Sequence, residues 1–213
     1  GGGIPRGGAG RGRGAGTGGD GNNSAGVTLY GNGQIRSGGG PIVVTGIRPF
    51  SGSGIILDAS GGATPTIAST NNATVTLIAD SMVLDSGSPT AVSAGTGIVN
   101  IHTNSNSTTI QLGADTGSTL SLGDSELDRV TAGTLNIGDV NTASIEVGSA
   151  ITRSTATNLN LTASGQIGIT GFGAPLPLLD SAGGNVALNP GTNVFPSHSG
   201  VDINSGVGTT TLA

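Results

Sequence analysis

From Val27 onward the chain repeats one small pattern: an apolar residue, any residue, then a second apolar residue. Each unit is flanked by Gly, Asn, Ser, Thr or Asp. Val27/Leu29, Val75/Leu77, Met82/Leu84, Val99/Ile101, Ile110/Leu112 and Leu120/Leu122 are followed by Leu135/Ile137, Ile145/Val147, Leu159/Leu161, Ile167/Ile169, Val186/Leu188 and Val201/Ile203. Successive side chains of a strand point to opposite faces. Each unit therefore predicts a strand of three to five residues with one buried face. No stretch holds a 3.6-residue period, and Ala sits among Gly, Thr and Asn, which disfavour helix.

The spacing of the units predicts how they stack. One series, Ile110, Leu135, Leu159, Val186 and Thr210, advances by 25, 24, 27 and 24 residues. An interleaved series, Val99, Leu120, Ile145, Ile167 and Val201, advances by 21, 25, 22 and 34. A degenerate period of about 24 residues with two strands per period is the signature of a solenoid. The expected fold is all-β: a parallel β-helix, or β-solenoid, with six turns from Val75 to Leu212 stacked at about 4.8 Å and a rod about 30 Å long. A β-sandwich also shows short strands at close spacing, but it calls for longer strands, more aromatics and less glycine.

Composition supports this picture. Glycine fills 42 of 213 positions and aromatics are 2%. A narrow bore lined by stacked Val, Ile and Leu has little room for rings, and corners need positive φ. The glycines keep no three-residue period, which excludes collagen. Residues 1–26 are almost all small or polar and predict a glycine-rich flexible tail or inter-subunit strap, with the solenoid in 27–213. There is no Cys, so disulfides and thiolate metal sites are excluded. All seven basic residues are Arg, and the net charge of −5 disfavours nucleic acid as a partner. No apolar run reaches about 18 residues, so no membrane span is expected. Gly1–Arg6 is not a signal peptide and has no initiator Met, which predicts a processed product or a piece of a longer chain.

The run Gly113–Asp139, with its string Leu127-Asp-Arg-Val-Thr-Ala-Gly-Thr-Leu-Asn-Ile-Gly-Asp139, resembles a repeat of very large bacterial surface proteins. So do Thr76–Leu84 and Ala182–Thr192, and Asn23–Leu29 followed by Gly33–Gly46 is similar to an earlier module of the same proteins. These are filamentous-haemagglutinin-like, autotransporter-type adhesins. The resemblance covers most of residues 21–213. It implies a right-handed parallel β-helix, secretion across the outer membrane, and display or release as an elongated fibre.

Candidate chemistry is sparse. Asp124, Glu126 and Asp128 are the densest acidic cluster, with the residue types for glycoside hydrolysis or for calcium. The simpler reading is a capped turn, with Arg129 paired to a neighbouring carboxylate. His102 and His198 lie 96 positions apart, too few for a metal set, and His102 is expected at an exposed strand end. Gly18–Asn23 matches half of one calcium-binding nonapeptide, without repetition. Arg6, Arg11 and Arg13 sit among glycines with no interleaved aromatics to stack on bases. Asn22, Asn72 and Asn106 begin glycosylation-type triplets that read as turns. Thr64/Thr66, Thr74/Thr76 and Thr209/Thr211 do not recur at one phase, as an ice-binding face would need.

The expected function is therefore a structural or adhesive segment of a secreted, cell-surface fibre, with no catalytic, cofactor or metal residues. Expected partners are neighbouring repeats of the parent chain, further copies stacked end to end, and glycans of a host or the environment. A self-assembling filament subunit is the alternative, because no capping helix covers either end. A polysaccharide-degrading β-helix is the less favoured third, since its groove would need aromatics and convergent acids.

Overall fold

The computed structural model of the chain describes residues 25–47, 53–59, 62, 64–84, 90–113, 120–170, 178–196 and 202–213. Arg6, Arg11, Arg13, Gly18–Asn23, His198 and Val201, and all but the last two residues of the expected tail, lie outside them. The described residues form β-strands paired in parallel, with one four-residue helix, Asp124–Leu127. No helix among them is long and apolar enough to cross a membrane.

Alternation along each strand decides which face is buried. In Val75–Ala79, Val75, Leu77 and Ala79 are inward, and in Asn158–Ala163 every second residue is buried. Parallel pairing in exact register then places aliphatic on aliphatic: Val75, Val99, Leu135, Leu159 and Val186 form one inward row, and Leu77, Ile101, Ile137, Leu161 and Leu188 the next. Ile110, Ile145 and Ile167 form another row, with Leu112, Val147 and Ile169 beside it. These side chains belong to one continuous core. Leu120, Leu135, Ile145, Leu159, Leu161 and Ile167, the expected core, are all at most 2% exposed.

The strands fall into five sheets. The longest has seven strands in spatial order Ile42–Gly46, Val75–Ala79, Ile98–His102, Thr134–Ile137, Asn158–Ala163, Val186–Pro190 and Thr210–Leu212. Partners in it lie 24 residues apart at Val75/Val99, Leu135/Leu159 and Val186/Thr210, but 27 at Leu159/Val186, 33 at Ile42/Val75 and 36 at Val99/Leu135. The other sheets are Val27–Tyr30 with Ile55–Asp58 and Met82–Val83; Gln34–Ser37 with Thr66–Ser69, Val92–Ser93 and Val130–Thr131; Leu120–Leu122 with Ile110–Leu112, Ile145–Val147, Ile167–Ile169 and Val194–Pro196; and Ile151–Thr152 with Leu179–Asp180 and Ile203–Asn204. The chain visits three sheets per repeat.

Three expectations are corrected. There are three strands per repeat, not two: the third is often two residues long, as in Val92–Ser93 and Ile151–Thr152, and carries one inward apolar residue. The two series also exchange members. Val99 belongs with Leu135 and Leu159, while Ile110 belongs with Leu120 and Ile145. The reason is an extra strand. Ile110–Leu112 and Leu120–Leu122 pair with each other, and this second visit to one sheet lengthens that repeat to 36 residues. Finally, the observed partner of Ile167 is Val194.

One corner is built on glycine. Gly97, Gly133, Gly184 and Gly208 occupy the same position, two residues before the register residues Val99, Leu135, Val186 and Thr210. A Cβ on Gly133 would stand 2.2 Å from the carbonyl oxygen of Thr96, and one on Gly184 2.2 Å from that of Thr157. At these glycines the neighbouring backbone leaves no room for a Cβ, whereas the same position before Leu159 is held by Thr157.

Candidate functional site: an amide-lined groove and a buried acidic joint

The outward positions of the longest sheet carry polar side chains in register. Thr76, Asn100, Asn136 and Asn160 lie opposite one another on four adjacent strands. Each is centred between two buried aliphatics, as in Leu135-Asn136-Ile137, so its orientation outward follows from the pleat. The amides bond along the row: Asn160 Nδ2 donates to Asn136 Oδ1 at 2.8 Å, Asn136 Nδ2 to Asn100 Oδ1 at 2.7 Å, and Asn100 Nδ2 to the Thr76 hydroxyl at 3.1 Å. Such ladders reinforce stacked strands. Beside this row Asn189 Nδ2 reaches Thr162 Oγ1 at 3.4 Å.

A shallow groove of about 460 Å³ runs over these residues, bordered by His102, Gly138, Asp139 and Val140. Asp139 is fixed by a turn of its own: Oδ1 accepts from the Asn141 and Thr142 amides at 2.9 and 3.1 Å. Its Oδ2 lies 3.6 Å from His102 Nδ1, which is 3.0 Å from the Thr103 carbonyl. A carbonyl only accepts, so Nδ1 carries a proton. His102 is thus a partly buried rim residue and not the freely exposed strand end expected. Val140 stands out from the rim at 76% exposure. The groove has an uncharged amide floor with one carboxylate and one imidazole on its edge.

The acidic cluster has a different role. Glu126 is 8% exposed. Its Oε2 accepts from the Gly123 amide at 3.0 Å, half of a capping box at the start of the short helix. Its Oε1 accepts from the Leu84 amide at 2.9 Å, while Arg129 Nη1 donates to the Leu84 carbonyl at 3.3 Å. Two side chains thus satisfy both backbone groups of a residue just past a strand end. Asp124 Oδ1 likewise accepts from the Thr152 amide at 2.6 Å. Arg153, 8% exposed, donates to the Leu127 and Val130 carbonyls and lies 3.9 Å from Asp128. Desolvation lowers the Arg153 pKa from its usual value, opposed by Asp128 and Asp124. Desolvation raises that of Asp128, with Asp124 adding to it and Arg153 and Arg129 opposing.

Asp124, Glu126 and Asp128 are therefore close in sequence and engaged with different partners. Among the described residues no three His, Asp or Glu side chains group as metal ligands would. Asn72 and Asn106 lie on exposed turns, and Asn72 Oδ1 accepts from the Thr96 amide at 3.0 Å. Thr74/Thr76 and Thr209/Thr211 fall, against expectation, at one register position of the longest sheet, but at its two ends, with Asn100, Asn136, Asn160 and Ala187 between Thr76 and Thr211; Thr64/Thr66 belong with the sheet of Gln34–Ser37. The amide row was missed in the sequence reading. Its signal is the recurrence of Asn between two inward aliphatics at Asn100, Asn136 and Asn160. No protein-family model, curated protein or solved structure matches the chain.

Proposed function

We propose that the chain is a right-handed β-solenoid segment that serves as a stiff structural and adhesive rod of a secreted bacterial surface fibre, without enzymatic activity. The observation that carries this is the longest sheet: seven parallel strands in register, aliphatic inside and polar outside. A crossover between parallel strands of one sheet is right-handed in about 98% of cases, and the right hand is taken here by extension of that rule. The roles found for Asp124, Glu126 and Asp128 favour a scaffold, since each is spent on backbone amides or on Arg153. Fibre diffraction from oriented protein tests the rod: a meridional reflection near 4.8 Å is expected, and its absence refutes stacked repeats. Beads coated with the chain test adhesion, by retention on polysaccharide-coated surfaces above that of uncoated beads.

Self-association is the second reading. Thr210–Leu212 is an edge strand, and Leu212 is 62% exposed. Such an edge accepts either a further repeat or a second copy. Sedimentation velocity separates these: a concentration-dependent series of larger species supports the filament, and one species at all concentrations removes it.

A further inference from the structure

We infer that the groove over Asn100, Asn136 and Asn160 binds an extended, neutral polysaccharide lying along the amide row. This deepens the adhesive reading above by naming what the rod adheres to. Each amide has two N–H donors and two acceptor lone pairs on oxygen. The ladder uses one donor of each asparagine, and one oxygen lone pair of Asn100 and Asn136. All three asparagines line the groove, and each keeps one donor and at least one acceptor outside the ladder, which is the complement of a sugar hydroxyl that also donates and accepts. Successive amides sit on successive strands, so the pattern repeats at about 4.8 Å. An extended polysaccharide advances by about one strand spacing per sugar; where alternate sugars are turned over, as in a β-1,4-glucan, like hydroxyls meet every second amide, Asn100 and Asn160. An extended peptide rises about 3.3 Å per residue, so its same-face groups recur at about 6.6 Å and fall out of step.

Charge selects the class. The floor is neutral, Asp139 adds a negative rim, and the chain carries −5 overall, so polyanions are repelled. Val140 offers an exposed apolar surface to the C–H face of a sugar. No aromatic lines the groove, so affinity per site is low and multivalent display supplies the avidity.

The test is native-gel affinity electrophoresis with hydroxyethyl cellulose (extended, neutral), dextran (flexible, neutral) and polygalacturonate (anionic). Hydroxyethyl cellulose is expected to retard the chain, and the other two are not. The triple variant N100A/N136A/N160A should bind about tenfold more weakly or worse, the equivalent of one lost hydrogen bond or more. Since the ladder also supports the sheet, Val140→Asp provides a second variant on an exposed side chain; it should weaken retardation with an unchanged circular dichroism spectrum. Absence of retardation by hydroxyethyl cellulose overturns the proposal, as does equal retardation by dextran or polygalacturonate, or retardation unaffected by either variant. If the 4.8 Å reflection is present and hydroxyethyl cellulose does not bind, the groove proposal fails and the rod stands. If that reflection is absent, the stacked strands that carry the amide row are absent too, and rod and groove fail together.

Discussion

Single residues in this chain are decided by neighbours one repeat away. Gly133 shows this most directly, because a methyl group there meets the backbone of Thr96 and not a movable side chain. Gly133→Ala should cost about 1–3 kcal/mol in urea unfolding, the usual range for overpacking. Gly38, with open space around its would-be Cβ, provides the contrast: Gly38→Ala should stay within about 0.5 kcal/mol. Asp128 gives a pH-dependent case. Its native pKa is raised, chiefly by desolvation, so folding favours the protonated acid. The resulting penalty is absent below the ordinary carboxyl value of 3.8 and develops as pH rises through the native pKa. Asp128→Asn removes it. The variant should match the parent in acid and exceed it in stability near neutral pH, read by paired thermal melts.

At the scale of the strand, the two faces carry separate tasks. Leu135 is fully buried between Val99 and Leu159, so Leu135→Ala should cost about 2–5 kcal/mol. The adjacent Asn136→Ala touches only the outer ladder and should cost about 0.5–1.5 kcal/mol. Denaturant midpoints of the two variants check the ordering. The same division explains what could be read from the sequence. Five strands of the long sheet, from Val75–Ala79 to Val186–Pro190, show two inward aliphatics each, and their positions, the pairing of Leu135 through Thr210, and their burial were legible; Ile42–Gly46 was not among the units read. The strands Val92–Ser93, Val130–Thr131 and Ile151–Thr152 bury one aliphatic each and leave no alternating signature. Ile110/Leu112 and Leu120/Leu122 look alike in sequence, and nothing local tells which neighbour each will choose. The groove was hidden for a related reason: asparagine reads as a turn former, and only the register reveals that three of them share one row.

Across the molecule, the longest sheet is the one that runs from Ile42 to Leu212. Two sheets stop at Met82–Val83 and Val130–Thr131, and two others start at Leu120–Leu122 and Ile151–Thr152. The joint between them is bridged by Arg153, whose guanidinium satisfies two carbonyls from the segment before it. In the proposed solenoid, repeats unfold by nearest-neighbour coupling, so weakening this joint weakens cooperativity. Arg153→Gln should cost about 1–3 kcal/mol for each carbonyl left unpaired. It should also split one urea transition into two, seen as separate loss of amide protection before and after residue 130. A single transition in the variant would show that the long sheet alone couples the halves.

The extra strand has a mechanical consequence. In space Leu120–Leu122 lies between Met82–Val83 and Ile110–Leu112, although the chain reaches it after Ile110–Leu112. It is a back-stitch. Pulling from the C-terminal side peels strands off one edge at a time until the chain between Val130 and Leu122 is drawn taut. The next strand to leave is then held on both flanks, so two borders must break together and not one. The repeat that looks like an irregularity in the sequence thereby becomes a knot in the thread, at which unravelling under tension is arrested.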